Sequence, residues 1–236
     1  LSFLEKMPAD TNLKFRRASL FEAGRIHDYL KESKQAYECF LEGNKLTLDL
    51  WPNHSRDAKN FIEEWKTIHT YLDTHEHLSW PEFQVDTQRP KQVFLLGFMR
   101  SGTTLMDTIL ETDSRITVLE EELPIHNVVN EVKKLHGDYP ACLERLTIQQ
   151  VESLRRQYWD EVATLTGPLP QNIIVLDKQP LLAPHIGLVH RLFPEARFIL
   201  ALRHPCDVVM SSFMQPFGRN AVQSIVIFRE QSAEVH

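Results

Sequence analysis

From Gly97 to Thr104 the chain reads Gly97-Phe98-Met99-Arg100-Ser101-Gly102-Thr103-Thr104, two glycines bracketing an arginine and leading into hydroxyl residues. Behind the apolar run Val93-Phe94-Leu95-Leu96, this is the pattern of a strand, a glycine-bounded loop and a helix start. Such an arrangement presents backbone N–H groups to a phosphate. Nucleoside triphosphatases use G-x-x-x-x-G-K-[ST], where the lysine reaches the β/γ-phosphates and the hydroxyl holds magnesium. Here Thr103 stands at the lysine position and the cation of the loop is Arg100. A guanidinium binds a dianion through fixed, paired donors but does not follow a triphosphate as a flexible ammonium does. The expected ligand is therefore a nucleotide without a γ-phosphate.

The run Phe94-Leu95-Leu96-Gly97-Phe98-Met99-Arg100-Ser101-Gly102-Thr103-Thr104-Leu105 resembles the 5′-phosphosulfate loop of sulfotransferases that use 3′-phosphoadenosine 5′-phosphosulfate. A second stretch, Arg197 to Ser212, resembles the 3′-phosphate site of the same family: a strand, an R-x-P-x-D segment from Arg203 to Asp207, and a serine farther along the next helix. The resemblance implies that Arg100, Ser101, Gly102, Thr103 and Thr104 surround the 5′-phosphosulfate. It gives Arg203 and Ser211 to the 3′-phosphate, the arginine through charged hydrogen bonds. Asp207 is expected to cap the helix after Pro205.

Asp177-Lys178-Gln179-Pro180 is similar to an N-K-D-P segment of tyrosylprotein sulfotransferases, whose lysine contacts the leaving phosphate; Asp177 and Gln179 depart from it. In Glu120-Glu121-Glu122, Glu121 matches the general base of a G-E-E segment, with Leu119 in place of the glycine. A positioned carboxylate of this kind contributes roughly 10²–10⁴-fold. Glutamates opening a helix are also favoured by its dipole alone, and His126 is an alternative base. The resemblance implies transfer of a sulfuryl group from 3′-phosphoadenosine 5′-phosphosulfate to an acceptor hydroxyl on a protein tyrosine, a sugar or a small alcohol, with Glu121, Lys178 and Arg100 catalytic and no metal. Two other readings stay open on the residues alone. One is a magnesium-dependent kinase or triphosphatase using Asp177 with Thr103 or Thr104; the other is a non-catalytic repeat scaffold.

These residues need a frame that gathers them. From Gln92 onward short apolar strands (Val93–Leu96, Ile116–Leu119, Ile173–Leu176, Phe198–Leu202) alternate with helical stretches. Continuous apolar strands between helices imply a parallel sheet covered on both faces. The expected fold is therefore α/β, a P-loop-like parallel sheet covered by helices over residues 91–236. Ligands bind such sheets at the carboxyl ends of the strands, where Gly97, Asp177, Lys178 and Arg203 all fall.

Residues 1–85 read as helical, with Gly43-Asn44 as a stop between helices and a further helix from about Ser55 to Asp73. Leu20, Gly24, Ala36 and Phe40 fall where a tetratricopeptide repeat places its signature residues, with His27 at a usual tyrosine. An ordinary helical hairpin explains the same pattern. The front resembles the repeat module that precedes such domains in some bacterial sulfotransferases, which favours a polypeptide partner and implies further repeats upstream. Prolines in Trp80-Pro81 and Gln88-Arg89-Pro90 mark the expected boundary. The family's last segment, which completes the adenine and 3′-phosphate contacts, is expected to be missing, since the chain stops at Val235-His236.

Composition narrows the rest. Net charge is −6, from 26 basic and 32 acidic residues, which argues against a general nucleic-acid surface. No run approaches the roughly 20 apolar residues of a membrane helix. The three cysteines, Cys39, Cys142 and Cys206, form no C-x-x-C pair. That fits neither a disulfide framework nor a zinc knuckle, and favours a reducing, cytoplasmic setting.

Overall fold

The computed structural model describes residues 8, 11–51, 53–75 and 89–217. The expected boundary residues Trp80, Pro81 and Gln88, and the chain end at Val235-His236, lie outside them. The described residues group into two compact units, one drawn from Leu1–Glu64 and His204–His236, the other from Trp65–Arg203.

In the first unit the helices α1 (Leu13–Tyr29) and α2 (Ser33–Leu50) pack against each other, followed by α3 (His54–Thr74), whose later turns belong to the second unit. Phe21, Ala36 and Phe40 form a small core. Both glycines of this pair are close-approach positions: a Cβ on Gly24 would lie 2.6 Å from the Phe40 ring, and one on Gly43 2.9 Å from Phe21. The expected stop at Gly43-Asn44 is not there, since α2 runs through both residues. Gly43 makes room for Phe21, and the buried Asn44 amide donates to the carbonyls of Phe40 and Phe213, each at 2.9 Å. Packing and buried hydrogen bonds outweigh the helix-breaking tendency of these two residue types. A helix pair of this kind fits a repeat and a plain hairpin equally.

The second unit is built on four parallel strands, β1 (Lys91–Gly97), β2 (Ile116–Glu120), β3 (Ile174–Lys178) and β4 (Arg197–Ala201), in the order β2-β3-β1-β4. Between them run α4 (Thr103–Leu110), α5 (Pro124–His136), α6 (Ile148–Thr166) and α7 (Ile186–Leu192), with short 3₁₀ turns at Ala141–Arg145 and Ala183–His185. The sheet is the expected one, and β3 leads to β4 through a 3₁₀ turn followed by α7.

On one face Phe94 and Leu96 join Leu119, Val175, Tyr158 and Phe193 in the main core, while Leu95 is buried on the other face. On α5, Ile125, Val128, Val129 and Val132 are all buried, at the i, i+3, i+4, i+7 spacing of one helical face. Each such side chain contributes about 1.5–3 kcal/mol when fully buried. Proline opens this helix and Gly137, at φ 73°, closes it. A reciprocal pair of bonds between Thr147 and Gln150 starts α6.

The last described helix, α8 (Pro205–Phe213), belongs to the first unit, where Phe213 joins the Phe21–Phe40 cluster. Its N-cap is His204, whose Nδ1 accepts from the Cys206 N–H at 3.3 Å. Asp207 sits in the first turn rather than at the cap expected for it, suited to the dipole there.

Candidate active site

β1 lies between β3 on one side and β4 on the other, so the chain leaves its carboxyl end at the point where the strand order reverses. The loop that follows is shaped by its own residues. Ser101 folds back on Phe98, its N–H and its hydroxyl both donating to the Phe98 carbonyl, at 3.1 and 2.6 Å. Gly97 has no room for a side chain: a Cβ would stand 2.5 Å from Ser101 Oγ and 2.9 Å from the Ala201 carbonyl oxygen. Gly102 caps α4 at φ 96°, left-handed backbone that favours glycine, and supplies no side-chain acceptor to the first turn. The N–H groups that α4 leaves unpaired are thus available to an external acceptor. A 5′-phosphate or phosphosulfate fits this cradle by its charge and by its acceptor oxygens.

Arg100 is exposed and takes φ 67°. Its carbonyl accepts from Arg203 Nη1 at 2.9 Å. Arg203 therefore ties the end of β4 to the loop, a contact the motif did not foretell. One N–H of the five on its guanidinium is used in that bond.

Lys178 stands at the centre. Parallel pairing of β2 with β3 sets it opposite Glu120, and pairing of β1 with β3 sets it opposite Leu95. Its side chain is fully buried, and Nζ lies 2.8 Å from Glu120 Oε1, 3.0 Å from Asp107 Oδ2, 3.3 Å from Glu121 Oε1 and 3.3 Å from Thr104 Oγ1. Burial alone would lower the pKa of the ammonium, but the surrounding carboxylates of Glu120, Asp107 and Glu121 outweigh it, and the pKa is raised. The ammonium therefore stays charged at neutral pH. Glu120 and Glu121 are exposed, so water screens their share of the attraction. Asp107 is the buried partner.

The predicted residues Arg100, Ser101, Gly102, Thr103, Thr104, Glu121, Lys178 and Arg203 all fall in the sheet unit, most of them linked by the contacts above. Ser211 is half-buried on α8 and belongs to the other unit. The three glutamates do not open a helix. Glu120 ends β2, and Glu121 and Glu122 form a bend before Pro124. His126, the alternative base, has Nε2 engaged with Gln179 Oε1 at 2.9 Å.

Asp177 does not join the loop. Successive side chains of a strand point to opposite faces, and Asp177 accepts from the Tyr158 hydroxyl at 3.1 Å while Lys178 faces Thr104 and Asp107. The proposed magnesium pairing of Asp177 with Thr103 or Thr104 is therefore contradicted by strand geometry. Burial raises the Asp177 carboxyl to about 7, against partial relief from hydrogen bonds with Gln179 and Tyr158.

Asp107 is the residue that sequence reasoning missed. Its signal was its spacing from Thr103, one helical turn away on the same buried face of α4. An acid on a buried helical face needs a cation, and Lys178 is that cation.

Two relatives show similarity along the chain. An uncharacterized protein of Aquifex aeolicus (strain VF5) is 26% identical over 211 residues, covering 86% of this chain and 26% of its own. Protein-tyrosine sulfotransferase 1 of Danio rerio is 27% identical over 159 residues, covering 64% of this chain and 44% of its own. The chain thus spans less than half the length of either. Residues 90–226, more than half of the chain, match the sulfotransferase family, and the chain belongs to that family.

Proposed function

We propose that this domain transfers a sulfuryl group from 3′-phosphoadenosine 5′-phosphosulfate to an acceptor hydroxyl. The observation that carries the proposal is the position of Lys178, whose ammonium touches the phosphate loop at Thr104 and the carboxylate of Glu121 at the same time. A cation placed there meets the leaving phosphate on one side and the base on the other.

The transfer runs in line. Glu121 takes the acceptor's proton as its oxygen forms the new bond to sulfur. The bond from sulfur to the bridging oxygen of the 5′-phosphate breaks, and its electron pair stays on that oxygen. Products are a sulfate ester and 3′-phosphoadenosine 5′-phosphate. Arg100 and Lys178 face the charge that develops on the departing oxygen, and fixed cations aimed at developing charge commonly supply the largest catalytic contribution. Arg203 and Ser211 are assigned to the 3′-phosphate on the sequence motif alone. The name of the Danio rerio relative makes a tyrosine peptide the first acceptor to try. The front helices, residues 1–85, are proposed to bind such a polypeptide.

The test is calorimetric binding of 3′-phosphoadenosine 5′-phosphate without metal, to the wild type, Arg100→Ala and Arg203→Ala, with magnesium-ATP as comparison. Loss of one charged hydrogen bond, about 1.5–3 kcal/mol, predicts roughly 10- to 150-fold weaker binding in each variant. Binding of magnesium-ATP alone would overturn the reading.

A further inference from the structure

Among the described residues, the left-handed backbone region holds three that are not glycine: Lys31, Arg100 and Glu121. Two of these carry the proposed chemistry. Such a conformation costs on the order of 1–3 kcal/mol and persists only where the surroundings impose it. At Glu121, φ 54°, packing does not impose it, because the side chains from Glu120 to Leu123 are exposed. Two hydrogen bonds from the end of β3 do. On one side the Glu121 N–H donates to the Lys178 carbonyl at 3.1 Å, and on the other the Gln179 side-chain amide donates to the Glu122 carbonyl at 2.5 Å.

We propose that Gln179 is a positioning residue for Glu121, with His126 fixing the orientation of its amide; the functional part of this rests on the sulfuryl-transfer reading above. Gln179 is buried and its own N–H donates to the Leu95 carbonyl at 3.0 Å, so its backbone continues the pairing of β3 with β1 at the carboxyl end of the sheet. The direction of each bond follows from what the groups can do. A carbonyl only accepts, so the amide nitrogen of Gln179 must face Glu122 and the amide oxygen must face His126. That oxygen in turn only accepts, so His126 carries its proton on Nε2. The same argument removes His126 Nε2 as the acceptor's base. Its task is to hold Gln179, which holds the turn that aims Glu121.

The test uses Gln179→Met, which keeps the length and loses both polar atoms, and Gln179→Glu, which keeps the shape but cannot donate to Glu122 when ionised. His126→Phe removes the donor, and His126→Gln replaces it near the position of Nε2. Amide hydrogen exchange at Glu121, Glu122 and Leu123 is read alongside 3′-phosphoadenosine 5′-phosphate binding and turnover of a tyrosine peptide. In Gln179→Met, Gln179→Glu and His126→Phe, exchange in the turn rises about tenfold or more. In the same variants kcat falls about tenfold or more, part of the 10²–10⁴-fold that a positioned base supplies. KM and nucleotide affinity stay within about twofold, since Gln179 bonds neither to the loop nor to Arg203. His126→Gln recovers most of both losses. Unchanged exchange in both Gln179 variants would overturn the clamp, as would equal losses of turnover and nucleotide binding, which mark a general collapse. If the wild type binds no nucleotide, the sulfuryl-transfer reading falls, and the exchange data still decide whether Gln179 holds the turn.

Discussion

Asp177→Asn should stabilise the protein, and by an amount that grows with pH. The Asp177 carboxyl is 1% exposed and is pushed up to about 7 by burial, against hydrogen bonds with Gln179 and Tyr158. In the unfolded chain it titrates near the ordinary value of about 3.9. Between those two values the folded protein holds a proton that the unfolded chain has lost, so stability falls as pH rises, by about 1.4 kcal/mol per pH unit. The penalty is absent below pH ~4 and complete above pH ~7, where it reaches roughly 4 kcal/mol. Asparagine has the same shape, still accepts from Tyr158 and never ionises.

His185 acts in the opposite direction. Burial first, then Lys133 and His126, lower its pKa to about 3, while Tyr139 bonds its Nδ1 at 2.9 Å. From its unfolded value near 6.5 down to that point, stability is lost as pH falls, again by about 1.4 kcal/mol per unit. Between pH ~4 and ~6.5 the two slopes nearly cancel in the wild type. Asp177→Asn uncovers the histidine slope. Urea unfolding followed by tryptophan fluorescence, from pH 4.5 to 8, measures both proteins. The stability difference should climb across that range by about 2–4 kcal/mol and level off above pH ~7. A difference independent of pH would mean that Asp177 is ionised in the folded protein throughout, and would refute the reasoning.

Two glycine substitutions test the close approaches. Gly97→Ala places a methyl 2.9 Å from the Ala201 carbonyl, backbone that has little freedom to move, and 2.5 Å from Ser101 Oγ. The loop should distort, with calorimetry showing 3′-phosphoadenosine 5′-phosphate binding at least about tenfold weaker, in keeping with the 1–3 kcal/mol of overpacking. Gly24→Ala drives a methyl to within 2.6–2.8 Å of three atoms of the Phe40 ring, and Phe40 is 2% exposed and packed against Phe21 and Phe213. It should cost about 1–3 kcal/mol in denaturant unfolding of the helical unit. No loss in that measurement would show that the two helices do not pack at this distance.

What could be read from the chain and what could not divide along one physical line. Strand, loop and helix start around Gly97–Gly102 are set by local needs, close approach at one glycine and left-handed backbone at the other, so their spacing is written in consecutive residues. The parallel sheet was legible for the same reason, as apolar runs between helical stretches. Where the reading failed, the deciding partner was distant in sequence. Asn44 stays inside a helix because its amide reaches Phe213, and Asp107 is tolerated on a buried face because Lys178 arrives from β3. The turn at Glu121 is bonded to the Lys178 carbonyl through the Glu121 N–H and to the Gln179 amide through the Glu122 carbonyl, and neither partner is announced by the neighbouring residues.

Asp177 and Lys178 show how much a simple period could have settled in advance. They are adjacent, both charged in type and both buried. On a strand that adjacency sends them to opposite faces. One then meets a tyrosine and drifts toward neutrality, while the other meets three carboxylates and stays charged. A magnesium site needs the aspartate on the loop side; a cation for a leaving phosphate needs the lysine there. The register of β3 against β2 sets Lys178 opposite Glu120, so the lysine lies beside Thr104 and Asp107, the side on which the proposed function needs its cation.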